Sequence, residues 1–162
     1  MESKVKIRKI EKSDNEKISE IIREVLIEFG GKRPGTAYYD FDTDHMYEAF
    51  LGKRQAYFVA ELNGNILGGS GIKELKGSDT EICELQKLYL LSSARGIGIG
   101  RTLTEKCIEF AGEQGYQKCY LETFPNMLEA IHLYEKMDFK RLDSPIGDTG
   151  HGGCDVWMIK YL

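Results

Sequence analysis

Glu84-Leu85-Gln86-Lys87-Leu88-Tyr89-Leu90-Leu91-Ser92-Ser93-Ala94-Arg95-Gly96-Ile97-Gly98-Ile99-Gly100-Arg101 decides how the rest of the chain is read. It passes from a strand, through a short polar turn and a glycine-rich loop, into the first turn of a helix. Leu88 to Leu91 favour the strand, and Ser92-Ser93 interrupts it. From Ile99 onward the apolar period is helical, with Ile99, Leu103, Cys107, Phe110 and Ala111 on one face. Closely spaced glycines between a strand and a helix leave several backbone N–H groups aimed at one spot. That spot lies at the positive end of the helix dipole, so the stretch predicts an anion site, most naturally for phosphate.

Spacing separates the phosphate loops that compete for this reading. A Walker loop ends in Gly-Lys-Ser/Thr, whereas Gly100 is followed by Arg101-Thr102. A dinucleotide fingerprint is G-x-G-x-x-G and usually follows the first strand; Gly96, Gly98 and Gly100 give G-x-G-x-G. The acyl-CoA pyrophosphate loop has Gln or Arg, two free positions, Gly, one free position, then Gly or Ala. Arg95-Gly96-Ile97-Gly98-Ile99-Gly100 fits it at every fixed position. Here the chain resembles the GNAT superfamily of acyl-CoA-dependent N-acyltransferases. Three glycines at a helix start are poor for stability without a ligand, which weighs against a plain connector.

The composition sets the frame. At 162 residues the chain is read as one domain, 1–162, large enough for a core without staples. Hydrophobic residues at 41% and charged residues at 30% describe an ordinary globular protein. A net charge of −4 argues against a nucleic-acid partner. No apolar run reaches membrane-spanning length, and Met1-Glu2-Ser3-Lys4 begins no signal peptide. Cys83, Cys107, Cys119 and Cys154 show no paired spacing, so they read as reduced thiols of a cytoplasmic protein.

Taken in order, Val5 and Ile7 alternate with Lys6 and Arg8 in a first strand. Ser13-Asp14-Asn15-Glu16 predicts a capping box for a helix whose face is Ile18, Ile21, Ile22, Val25, Leu26 and Phe29, ending at Gly30-Gly31. Lys32 to Asp44 has no period and reads as a loop, followed by a short helix over Asp44 to Leu51. Strands over Ala56 to Leu62 and Ile66 to Ile72 meet at Asn63-Gly64, a tight hairpin turn. Gly68-Gly69 marks a bend or a close backbone approach. After the glycine loop and its helix come a strand over Cys119 to Thr123 and a helix with Met127, Ala130, Ile131, Tyr134 and Met137 inward. Strands over Phe139 to Leu142 and Asp155 to Tyr161 close the chain, separated by a glycine-rich segment from Gly147 to Gly153. The order β-α-α-β-β-β-α-β-α-β-β predicts an α/β fold, a mixed central sheet with helices on both faces.

That order is also the GNAT order, in which the sheet is mostly antiparallel. A second segment carries the resemblance independently: Leu121 to Met127, Ala130-Ile131, and Leu133-Tyr134-Glu135-Lys136-Met137-Asp138-Phe139. The family usually has glycine where this chain has Asp138, and aspartate tolerates the left-handed helix end better than most residues. The resemblance implies an N-acetyltransferase that passes an acetyl group from acetyl-CoA, its co-substrate, directly to a primary amine on a small molecule or peptide. It leaves a homodimer open. A non-catalytic acyl-CoA-binding regulator and a nucleotide-binding module for NAD or ATP remain the alternatives.

The roles carried over by motif position are these. Arg95 and the amides of Gly96, Ile97, Gly98, Ile99, Gly100 and Arg101 would hold the pyrophosphate, with Lys136 near other phosphates. Backbone groups of Leu88, Tyr89 and Leu90 would pair with the pantetheine arm as an added strand does, and an amide there would polarise the thioester. Asn126 is a cofactor contact or a cap for the helix that follows. Tyr134 is the expected general acid for the thiolate, or else a packed core tyrosine. Glu84 is the expected base for the amine, with Glu122 or a relayed water as rivals. His151 and Cys154 form H-x-x-C, but no partner pair is in sight for a metal, and His45 and His132 stand alone. Tyr38, Tyr39, Asp40, Asp42 and Asp44 make an acidic segment that suits a cationic acceptor, or is simply a solvated loop.

Overall fold

The computed structural model describes residues 4–162; the first residues of the N-terminal reading, Met1 to Ser3, lie outside the described residues. The elements are β1 (Lys6–Lys9), α1 (Asn15–Glu28), α2 (Met46–Ala49), β2 (Ala56–Leu62), β3 (Asn65–Glu74) and β4 (Ile82–Leu90). They continue as α3 (Ile99–Glu113), β5 (Lys118–Thr123), α4 (Leu128–Lys136), β6 (Lys140–Leu142) and β7 (Val156–Tyr161). This is the order read from the sequence. All seven strands form one sheet, β1-β2-β3-β4-β5-β7-β6. Only β4 and β5 run parallel; every other pair is antiparallel.

Two apolar cores lie on opposite faces, and β2 shows why both are needed. Its alternate residues Ala56, Phe58 and Ala60 join one core, whereas Tyr57 and Val59 join the other. α1 covers the second face with Ile18, Ile21, Ile22, Val25 and Leu26, all buried. α3 and α4 cover the first with Leu103, Cys107, Ala111, Ile131 and Tyr134. Each fully buried Leu or Ile contributes roughly 1.5–3 kcal/mol, so the apolar stripes seen in the sequence are what dock the helices.

Two local expectations are corrected. The capping box is formed not by Ser13 and Glu16 but two residues earlier, by Glu11 and Asp14 around the 3-10 turn Lys12–Asp14. The reason is tertiary: Arg8 on β1 holds Asp14 at 2.7 Å and Glu61 of β2 at 2.6 Å, and Asp14 accepts the Glu11 amide at 2.8 Å. The segment from Lys32 to Asp44 is not structureless either. It contains the 3-10 turns Ala37–Tyr39 and Phe41–Asp44, held by Thr36, which donates to the Gly31 carbonyl, and Thr43, which donates to that of Ala37. Turns this short carry no apolar period to read.

α4 ends as expected. Asp138 adopts φ +68°, its amide bonds the Glu135 carbonyl, and the Phe139 amide bonds that of Tyr134 at 3.0 Å. This is the paired arrangement of a left-handed helix end. Aspartate bears a steric cost there that glycine does not. Asp138→Gly is therefore expected to raise the unfolding free energy by about 0.5–1 kcal/mol, read from urea denaturation, without changing the fold.

Candidate active site

The site begins with a defect in β4. Gly69 faces Tyr89 and Gly71 faces Gln86, so β4 carries one more residue than β3 across this stretch. Lys87 sits there at φ +53°, and the buried Tyr57 hydroxyl donates to its carbonyl at 2.9 Å. Such a bulge bends its strand and sharpens the local twist. The consequence appears on the other edge. β4 pairs with β5 only through Ile82, Cys83 and Glu84, after which the strands part, while β5 stays paired with β7 to its end. The backbone approach expected at Gly68 is on the β3 side: a Cβ there would stand 2.1 Å from the Tyr89 carbonyl oxygen.

The parting leaves backbone groups open. The Leu91 amide donates to Leu67 of β3 at 2.9 Å, so strand alternation turns the N–H groups of Leu90 and Leu88 toward the gap. Tyr89 lies in the other phase, its carbonyl on β3. A groove of about 470 Å³ opens along this edge, lined by Leu88, Leu90, Arg95, Gly98, Arg101 and Lys136 among others.

The glycine loop closes one end of the groove. Gly98, at φ +87°, stands immediately before α3 with no side-chain cap, and Thr102 is the first amide to bond back, to Gly98 at 3.1 Å. The amides of Ile99, Gly100 and Arg101 therefore have no partner within the helix, which is the anion-binding arrangement read from the sequence. The side chain of Ile99 is buried in the core and that of Ile97 is exposed, so both offer only backbone to the groove. Arg95 lines the groove, yet its guanidinium is already engaged. It donates to the Leu90 carbonyl at 2.9 and 3.1 Å and to Glu28 of α1 at 2.5 Å, and it lies over the Phe29 ring. Arg101 pairs with Glu105 on the helix surface. Asn126 does not cap α4, whose first turn follows Met127 without a side-chain cap; its amide donates to the Phe29 carbonyl at 3.0 Å and ties the β5–α4 turn to α1.

At the point where β4 and β5 part, a narrow pocket holds Leu88, Glu122, Met127, Tyr134 and Cys154. The Tyr134 ring packs on Phe139 in the core and also lines this pocket. Burial pushes its phenol above the ordinary tyrosine range. Glu84 is 4% exposed. Desolvation lifts its carboxyl to about 7, against the pull of the Gln86 amide, which donates to it at 2.6 Å. Glu122 accepts from the Tyr120 hydroxyl at 2.6 Å and from that of Thr149. Burial first, then Glu122 and Glu84, push the Cys154 thiol up to about 12.

The acidic segment does not present free carboxylates. Asp44 pairs with Arg23 at 2.5 Å, Asp42 with Lys73 at 3.6 Å, and Asp40 with Lys87 at 3.5 Å and His151 at 2.7 Å. The expectation of an acidic patch for a cationic acceptor is thereby corrected: internal cations already neutralise it. What sequence reading missed is the company of Glu84. A ring nitrogen of His151 and carboxylate oxygens of Glu84 and Glu122 lie within 4.8 Å of one another. Cys154 is not part of this cluster. Asp40 and His151 stand 111 residues apart, and no local pattern links them.

The comparisons with known proteins give the class. The chain belongs to the acetyltransferase (GNAT) family, whose model matches residues 18–139. It is 40% identical to the uncharacterised N-acetyltransferase YjgM of Escherichia coli, covering 96% of this chain and 94% of that one. With human N-acetyltransferase 8 it shares 30% identity over 80% of this chain, spanning 57% of the human protein. The structure of a GNAT-family acetyltransferase from Staphylococcus aureus superimposes with a TM-score of 0.87 at 22% identity, over 98% and 99% of the two chains. The Salmonella typhimurium protein yncA, solved with its cofactor acetyl-CoA, gives 0.76 at 21% identity, over 97% and 93%.

The raised carboxyl of Glu84 makes a stability prediction. The folded chain holds this proton at pH values where the unfolded chain, with an ordinary value of 4.5, has released it. Its contribution therefore falls as pH rises from about 4.5 to about 7, by about 3–3.5 kcal/mol in all, and is flat above that. Glu84→Gln removes the dependence. Urea denaturation at about pH 5 and about pH 8 should show the wild type losing 2–3 kcal/mol more than the variant between the two, as an order of magnitude.

Proposed function

We propose that this chain transfers an acetyl group from acetyl-CoA directly to a primary amine, on a small molecule or a peptide, within a ternary complex. The observation that carries the reading is the parting of β4 from β5 immediately after Glu84, with the glycine loop at the far end of the opened edge. A thioester laid along this edge would reach the carboxylate with its acyl end while its phosphates met the amides of Gly96 to Arg101. The Leu88 and Leu90 amides suit the pantetheine arm, and one of them suits the thioester carbonyl as a polarising donor. Arg95, held by Leu90 and Glu28, would frame the pyrophosphate and keep the loop in shape.

Acyl transfer needs a neutral amine and a protonated leaving thiolate. Glu84 is the base of this reading. An amine near pKa 10.4 gives its proton to a group near 7 at a cost of about 4–5 kcal/mol, tolerable within an enzymatic barrier. An ordinary carboxylate, at 4.5, would add about 3 kcal/mol to that cost. Tyr134 is the acid; burial keeps its proton in place at neutral pH. Direct transfer is favoured over an acyl-cysteine because the Cys154 thiol, near 12, is almost never a thiolate at neutral pH.

Release of free thiol from acetyl-CoA, screened over a polyamine, free amino acids and a peptide amine, tests the activity. Tight acetyl-CoA binding with no release from any of them would favour a binding-only regulator. Tyr134→Phe should leave acetyl-CoA affinity nearly unchanged and lower turnover by about a hundredfold, the lower end for one general acid, since the thiolate is itself a fair leaving group. Incubation with acetyl-CoA alone should leave the intact mass of the protein unchanged; an added acetyl group lost in Cys154→Ser would overturn direct transfer.

A further inference from the structure

Glu84 is buried, and a base that takes a proton must also lose it before the next turnover. Its surroundings offer few ways out. Gln86 donates to one of its oxygens, and Glu122 already accepts from two hydroxyls. Lys87 and Cys154 also lie near Glu84, but it is His151 whose ring nitrogen comes within 4.8 Å of the carboxylate oxygens of Glu84 and Glu122, a gap that one water can bridge. Nε2 of His151 is held by Asp40 at 2.7 Å, and the Thr149 hydroxyl fixes the His151 amide at 3.2 Å. With Nε2 committed, Nδ1 is the nitrogen free to exchange a proton. The His151 side chain keeps 14% of its surface in solvent.

We propose that His151, oriented by Asp40, is the proton outlet of Glu84 during acyl transfer. The inference rests on Glu84 as the base. In the first step an N–H bond of the acceptor ammonium breaks and an O–H bond forms on Glu84, freeing the amine lone pair. That O–H then breaks as an N–H forms on Nδ1, the proton passing through the bridging water. The imidazolium keeps its Nε2–H on Asp40 and gives the Nδ1 proton to solvent, and Glu84 is again a carboxylate. The groups facing His151 fit this duty. Asp40, Glu84 and Glu122 favour the imidazolium, Lys87 opposes it, and the neutral Cys154 thiol does neither. Asp40 stays ionised beside His151 and Lys87, so it holds the ring without trapping the proton. His151 touches no reacting atom in this scheme and is a positioning residue.

The test combines kinetics with a readout that needs no acceptor. With the primary amine of the panel that the wild type acetylates fastest, His151→Ala should lower kcat about tenfold to a hundredfold. Added imidazole should restore part of that loss in proportion to its free-base form. Asp40→Asn should shift the alkaline-rising limb of the pH profile downward. In ¹⁵N spectra of the free protein, neutral His151 should carry its proton on Nε2, and its titration midpoint should fall in Asp40→Asn. Normal turnover and pH profile in His151→Ala, with Glu84→Gln impaired, would overturn the outlet and leave Glu84 as base. Full activity in Glu84→Gln would overturn the base and the outlet together. Should His151→Ala misfold, a proton on Nδ1, or a midpoint indifferent to Asp40→Asn, decides against the proposal.

Discussion

The interruption of the β4–β5 ladder is the constraint on which the rest depends. Two adjacent parallel strands would normally pair along their whole length. Here they pair through three residues of β4 and then diverge, in the middle of a sheet rather than at its rim. Unpaired backbone groups in such a place cost about 1–3 kcal/mol each unless something meets them. The fold meets one, the Leu90 carbonyl, with the Arg95 guanidinium. It leaves the amides of Leu88 and Leu90 facing a groove. The extra residue at Lys87 keeps the strands apart, and the Tyr57 hydroxyl satisfies the carbonyl that the bulge would otherwise strand. A buried tyrosine two strands away thus maintains an opening it does not line.

Electrostatics at the opening follow from the same bulge. It places Lys87, nearly fully buried, close to Asp40. Together with Lys73 and Arg23, Lys87 neutralises the loop between α1 and α2, so the segment that looks acidic in sequence adds little net field. Among the described residues no salt bridge reaches Glu84 or Glu122, whose carboxylate oxygens lie within 4.8 Å of each other where the strands part. Burial above all, with the Glu122 charge adding to it, makes the Glu84 carboxyl favour holding its proton. Proton exchange is therefore built into this position before any substrate arrives.

The sequence was most informative where chemistry is local. The glycine spacing, the apolar faces of α1 and α3, the Asn63-Gly64 hairpin and the left-handed end at Asp138 all follow from rules acting within a few residues, and the structure has each of them. What was not legible is long-range. The capping box moved to Glu11 and Asp14 because Arg8 reaches Asp14 from a strand. The free carboxylates expected at Asp40, Asp42 and Asp44 vanished because their cations come from β3, β4 and α1. His151 looked like half of a metal motif because its neighbour in sequence is Cys154, whereas its neighbours in space are Asp40 and Glu84. The position of β7 between β5 and β6 was invisible too, since both orders of the last hairpin share one strand pattern.

Arg95 shows how a motif residue can serve fold and ligand at once. A guanidinium has five N–H donors in a fixed plane, and the contacts to Leu90 and Glu28 leave some of them unused. Those contacts join the end of β4, the end of α1 and the glycine loop around one planar group, so the loop is shaped before anything binds. Asn126 reinforces the joint by tying the β5–α4 turn to Phe29, whose ring lies under the Arg95 guanidinium. An anion arriving at amides already aligned loses less in ordering the site than one that must assemble it. Lysine at this position would keep the charge but could not bond Leu90 and Glu28 in one plane, which gives a physical reason for a planar donor group where the strand runs into the loop.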